Sequence, residues 1–152
     1  MSKAKKIVLA LLLVIIAIQL VQPARNNSNV VQKADMVTHF NAPANVAGVL
    51  KTSCYDCHSN NTRYPWYATV QPIGWLLANH VKDGKEELNF SEFANYSKRR
   101  QLSKLKSLQN SIKDGSMPLP SYTLLHNDAK LSGESKALLM QWTTKTIDSL
   151  SK

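Results

Sequence analysis

The strongest constraint on this chain is a thirteen-residue stretch, SCYDCHSNNTRYP, Ser53 to Pro65, in which the only two cysteines stand three positions apart and a histidine follows at once. Two thiols so close make a poor structural staple, because closing a short loop removes little entropy from the unfolded chain. A tetrahedral zinc site needs four nitrogen or sulfur ligands, and no second Cys-x-x-Cys or spaced histidine pair is present to complete one. A thioredoxin-like redox pair opens a helix behind a strand, and no alternating or β-branched run precedes Cys54. Cys-x-x-Cys-His is also the pattern of covalent haem attachment, with both sulfurs bonded to the macrocycle and the histidine on its iron. Attachment of one haem c through Cys54 and Cys57, with His58 as proximal iron ligand, is the preferred reading; redox pair, zinc site and plain disulfide are its rivals.

The front of the chain limits where this chemistry takes place. Lys3, Lys5 and Lys6 precede IVLALLLVIIAIQLV, Ile7 to Val21, an apolar run broken only by Gln19. A basic flank before such a run marks an export signal or a membrane anchor. Cleavage after Ala24 would put bulky Gln22 where a small residue is wanted, so a retained transmembrane anchor is preferred to a removed signal. Residues 1–24 are read as signal or anchor, 25–33 as a linker and 34–152 as one domain, a length that suits a single modest core. An exported chain does not meet nucleic acid, so its net charge of +9 points elsewhere.

The remainder reads as helices. In NAPANVAGVLKTSCYDCHS, Asn41 is a candidate N-cap, Pro43 fits a first turn, and Val46, Val49 and Leu50 keep helical spacing. Continued to His58, that helix puts Cys54, Cys57 and His58 at i, i+3 and i+4 on one face. Gly48 within it suggests a close helix crossing. A second helix is predicted from Pro72 to Gly84, a third behind Ser97 with Leu102, Leu105, Leu108 and Ile112 on its apolar edge, and a fourth behind Ser132 with Leu139, Trp142 and Leu150. No convincing strand pattern appears, and the fold class is all-α.

An electron-carrying haem wants a second axial ligand. Met117, in DGSMPLPSY, lies past a helix stop at Gly115 and before Pro118, in an extended strap that Pro120 stiffens, rather than on an apolar stripe. His80, on the apolar face of QPIGWLLANHVKDG, is the alternative distal ligand or a hydrogen-bond donor beside the cofactor. His126 reads as tying down its own loop, and His39 lies too near the linker. Arg63 reads as a solvated arginine or a propionate partner. Tyr64, Trp66 and Tyr67 wall the cofactor or complete the core. Lys98, Arg99, Arg100, Lys104, Lys106 and Lys113 gather on one predicted helix, a solvated face or one that steers an acidic redox partner or meets anionic lipid.

The blocks CYDCHSNNTRYPWY, WLLANHVKDGKEELNFSEF and GSMPLPSYTLLHNDAKLS, followed by a helix with Trp142, together resemble the bacterial haem-binding domain family of cytochrome-c-like proteins over about Ala34 to Trp142. The resemblance implies a small cytochrome-c-like helical domain, attachment through Cys54 and Cys57, proximal His58 and distal Met117. It leaves open the roles of His80 and of Asn89 to Glu92. Members are similar to domains found beside cytochrome c and di-haem peroxidase modules, which implies electron transfer to or from a periplasmic or membrane oxidoreductase, with a peroxidase or another cytochrome as partner. The expectation is a mono-haem electron carrier rather than an enzyme, on the periplasmic side of the bacterial inner membrane, held there by its N-terminal helix or soluble after cleavage. The alternatives are a peroxidase-type haem enzyme and a haem-based sensor with a labile sixth ligand.

Overall fold

In the computed structural model, which describes residues 1–28, 30 and 32–152, the elements follow in the order α1 (Lys3–Ile18), α2 (Met36–His39), α3 (Ala44–Ser53), α4 (Tyr55–His58), α5 (Ile73–Glu87), α6 (Lys98–Asp114), α7 (Pro120–Leu125) and α8 (Gly133–Ser151). Short 3-10 turns at Trp66–Thr69, Phe90–Asn95 and Asn127–Ala129 connect them. No strand forms among the described residues, and Asn27 and Asn61 make an isolated antiparallel bridge. The all-α expectation holds. Asn29 and Val31, inside the predicted linker, lie outside the described residues.

The two long C-terminal helices form where their caps direct. The Ser97 side chain accepts from Arg100 N, and Gly115 ends α6 at φ 75, a left-handed conformation that favours glycine. Ser132 accepts from Ser135 N at the head of α8, and each such cap contributes about 1 kcal/mol. Leu105, Leu108 and Ile112 of α6 and Leu139 and Trp142 of α8 are buried and close on Met36, Val46, Leu50, Phe90 and Phe93. Spacing locates α6 and α8, but not the fully buried Phe90 and Phe93, which lie on a 3-10 turn with no long periodic run.

Three local expectations are corrected. The helix expected to run through to His58 ends at Ser53, and Cys54 leaves helical geometry at φ −132, ψ −39 before α4 begins. The break coincides with two long-range ties of Tyr55: its hydroxyl donates to both carboxylate oxygens of Asp35 (3.0 and 3.2 Å) and its ring stacks on Phe90. Asn41 is no cap; it stands at φ 47 in the turn after α2, a conformation asparagine tolerates. Pro120 does not stiffen an extended strap but opens α7 at its first turn.

The glycine crossing is real but sits elsewhere. A Cβ on Gly48 would meet nothing within 4 Å, whereas one on Gly84 would stand 2.7 Å from the Cys57 carbonyl oxygen. Gly84 therefore does not stop a helix; α5 runs past it to Glu87 and lies against α4 there.

The transmembrane expectation is also corrected: no helix among the described residues is long and apolar enough to cross a membrane. α1 has 16 residues, a rise of about 24 Å against a hydrocarbon core of about 30 Å. Gln19 ends it, its side-chain amide donating to the Ile15 and Gln71 carbonyls while its Oε1 accepts from Gln71 N (2.9 Å). Beyond it, Asn26 donates to Ser59 O and Thr62 Oγ1.

These placements predict opposite outcomes for two alanines. Gly48→Ala stabilises by about 0.5–1 kcal/mol, since it removes a helix-interior glycine at no steric cost. Gly84→Ala destabilises by about 1–3 kcal/mol, because α5 must move off the Cys57 backbone. Denaturant midpoints of the two variants check both signs.

Candidate functional site

The turn from Cys54 to His58 is held on all sides by contacts distant in sequence. α5 crosses it at Gly84, and the segment after α5 supplies Leu88, whose carbonyl lies 3.0 Å from His58 Nδ1. A carbonyl only accepts, so Nδ1 carries the proton, and Nε2 keeps its lone pair. Phe90 packs against the same imidazole, ring centroids 5.8 Å apart. Asn89 caps its own turn by accepting from Ser91 N, and donates to Asn60 Oδ1. The Asn89 to Glu92 element, whose role the sequence left open, thus supports the histidine.

A cavity of about 420 Å³ opens beside this turn, lined by Cys54, Cys57, His58, His80 and Met117 among others. A smaller hollow of about 110 Å³ adjoins it and shares Cys54, His58 and Met117, but not His80. All five candidate site residues therefore border one space, although the continuous helix expected to align three of them is absent. Leu77 and Leu119 add apolar wall.

Burial sets the charge state of the donors. Cys54 is pushed up to about 12 by desolvation, with the neighbouring Cys57 adding to it; Cys57 is pushed up to about 11 by desolvation and the charge of Asp56. Both are free thiols, and a thiol raised in this way lacks the depressed pKa of a redox nucleophile. Desolvation likewise holds the His58 imidazole below its ordinary range, partly offset by the Leu88 carbonyl. A neutral imidazole is the form that binds metal.

Other predicted roles move. Arg63 is solvated, its side chain 64% exposed, and also pairs with Asp56 at 3.2 Å. Lys104 forms an ion pair with Glu87, withdrawing it from the exposed basic face. Tyr64 and Tyr67 pack on a small cluster of Ala68, Leu77 and Val81, while Trp66 is 80% exposed. His126 meets the Tyr67 hydroxyl at 2.6 Å, joining two loops. The aromatic that does line the cavity is Tyr122, which sequence reasoning missed together with its partner Asp56; a separation of 66 residues leaves no local signal.

The donor set, two thiols, a tautomer-fixed imidazole and a thioether around one partly apolar cavity, fits haem. A family model described as haem-binding domain matches residues 13–145. The chain belongs to the haem-binding domain family. No curated protein and no solved structure matches it.

The thiols of this haem-binding domain give a pH dependence. Their folded pKa values lie above the ordinary 9.0, so the stability they contribute is fully present below about pH 9 and is lost as pH rises through the folded values. In haem-free protein, the denaturant midpoint should fall as pH rises from about 9 towards the folded values of about 11 and about 12, relative to that of Cys54→Ala/Cys57→Ala. A difference that does not vary with pH would contradict the burial.

Proposed function

We propose that the protein is an exported mono-haem cytochrome of c type that carries electrons to or from an oxidoreductase. The observation that supports this best is the convergence of Cys54, Cys57, His58 and Met117 on one cavity whose histidine is already oriented by the Leu88 carbonyl. Cys54 and Cys57 would hold the haem through thioether bonds, His58 through Nε2 and Met117 through its sulfur. When bound, the haem supplies a one-electron couple, and histidine–methionine ligation favours a higher potential than two histidines. The chain's own residues do the rest: Leu88 fixes the imidazole tautomer and raises its basicity, and Leu77 and Leu119 exclude water.

Met117 is preferred to His80 as distal ligand because it borders both hollows with His58, whereas His80 borders only the larger. A vacant sixth position beside His80 is the arrangement of the second reading, a peroxidase-type enzyme in which His80 moves protons.

Lys3, Lys5 and Lys6 ahead of an apolar helix with exposed side chains support export, with the haem domain on the periplasmic side. The bonds from Gln19 and Gln22 to Gln71 and Thr69 favour retention of that segment. Arg99, Lys106 and Lys113 recur every seven residues along α6, which aligns them in a solvent-facing row opposite its buried edge. This row suits an acidic redox partner.

Visible spectra of the haem-loaded protein test the ligation. Met117→Ala should abolish the methionine–iron charge-transfer band of the oxidised form, while His80→Ala leaves it unchanged. High-spin iron in the parental protein, with rapid peroxide turnover lost in His80→Ala, would overturn electron transfer in favour of the enzyme.

A further inference from the structure

Asp56 lies between the two cysteines and is only 6% exposed, although haem attachment requires no carboxylate there. Its Oδ1 accepts from Arg63 N (3.1 Å) and Nε (3.3 Å), and its Oδ2 from Arg63 Nη2 (3.2 Å) and the Tyr122 hydroxyl (2.6 Å). Its backbone carbonyl accepts from Thr62 Oγ1 (2.6 Å). A buried carboxylate with this many donors is fixed in place, and its bonds are of the strong, charge-assisted kind.

Tyr122 is the unusual partner. It belongs to α7, which begins three residues after Met117. Apolar packing holds α7 weakly, since it has no buried residue and Leu124 and Leu125 are 75% and 61% exposed; its other polar tie is at the far end, where His126 meets the Tyr67 hydroxyl (2.6 Å) and stacks on Tyr122. Met117 itself has one backbone bond, its N–H donating to the Ser111 carbonyl at 3.2 Å. Met117, Pro118 and Leu119 are only half-buried, so polar contacts share in fixing where the strap lies. Burial, followed by the Asp56 contact, pushes the Tyr122 phenol above its ordinary range, so it remains a donor.

We propose that Asp56 is a positioning residue, which latches the strap carrying Met117 over the cavity by accepting the Tyr122 hydroxyl, with Arg63 holding the carboxylate in place. The residue inside the attachment motif thereby sets how firmly the distal side closes on the proximal side. This rests on the reading of Met117 as distal ligand.

Imidazole competes with a protein ligand for the sixth position, so its affinity for the haem-loaded protein reports how readily the strap lifts. Tyr122→Phe deletes only the donor and should tighten apparent imidazole binding by about tenfold, the equivalent of one charge-assisted hydrogen bond. Asp56→Asn keeps an acceptor for Tyr122 but loses the Arg63 charge pair, and should fall between that variant and the parental protein. Imidazole affinity unchanged in Tyr122→Phe overturns the latch. If Met117→Ala binds imidazole no more tightly than the parental protein, the distal-ligand reading fails by itself. Amide hydrogen exchange then decides the latch independently: exchange at Tyr122, Thr123 and His126 about tenfold faster in Tyr122→Phe, with α6 and α8 unchanged, sustains it, and unchanged exchange there overturns it.

Discussion

A contact between two backbones with no side chain between them organises this molecule. At Gly84, α5 passes so near the Cys57 carbonyl that not even a methyl group fits. That approach fixes where α5 lies against the turn, and Leu88 and Phe90, which follow the helix, are the residues that contact His58. The same helix brings Leu77 and His80 to the cavity wall. Moving α5 outward by the width of a methyl would therefore shift the imidazole, its tautomer-fixing carbonyl and one wall of the cavity together.

Around that contact the turn is ionically asymmetric. Both thiols and the imidazole are kept neutral by desolvation, while the residue between the cysteines carries a buried carboxylate answered by Arg63 and Tyr122. Burying an unanswered charge would cost several kcal/mol; with its donors in place, Asp56 instead ties two segments of chain, the Thr62–Arg63 loop and α7, to one short turn. The free cations of α6 face outward, away from the buried edge made by Leu105, Leu108 and Ile112.

What could be read in the sequence was local. Ser97, Gly115 and Ser132 announce their helix ends because a cap acts within four residues, and helical spacing announces α6 because Leu105, Leu108 and Ile112 are buried on one edge, although Leu102 is only half-buried. The spacing of Cys54, Cys57 and His58 singles out the turn that borders the cavity. What could not be read was set at long range. Gly48 and Gly84 look alike in sequence, and only the approach of α4 separates them. The break at Cys54 goes with contacts of Tyr55 to remote Asp35 and Phe90, the pairing of Arg63 with a folded turn, and the withdrawal of Lys104 with Glu87 on another helix. Periodicity also has no purchase on a six-residue 3-10 turn, so the element that supports the histidine stayed silent.

The central claim is that the Cys54–His58 turn holds one haem by bonds that survive unfolding. Intact-mass spectrometry of natively produced protein under denaturing conditions tests it most directly. The account predicts a polypeptide heavier by one haem, with no bare chain in the mature fraction. A mass equal to the unmodified polypeptide, in protein whose folded form is coloured, would contradict covalent attachment through Cys54 and Cys57.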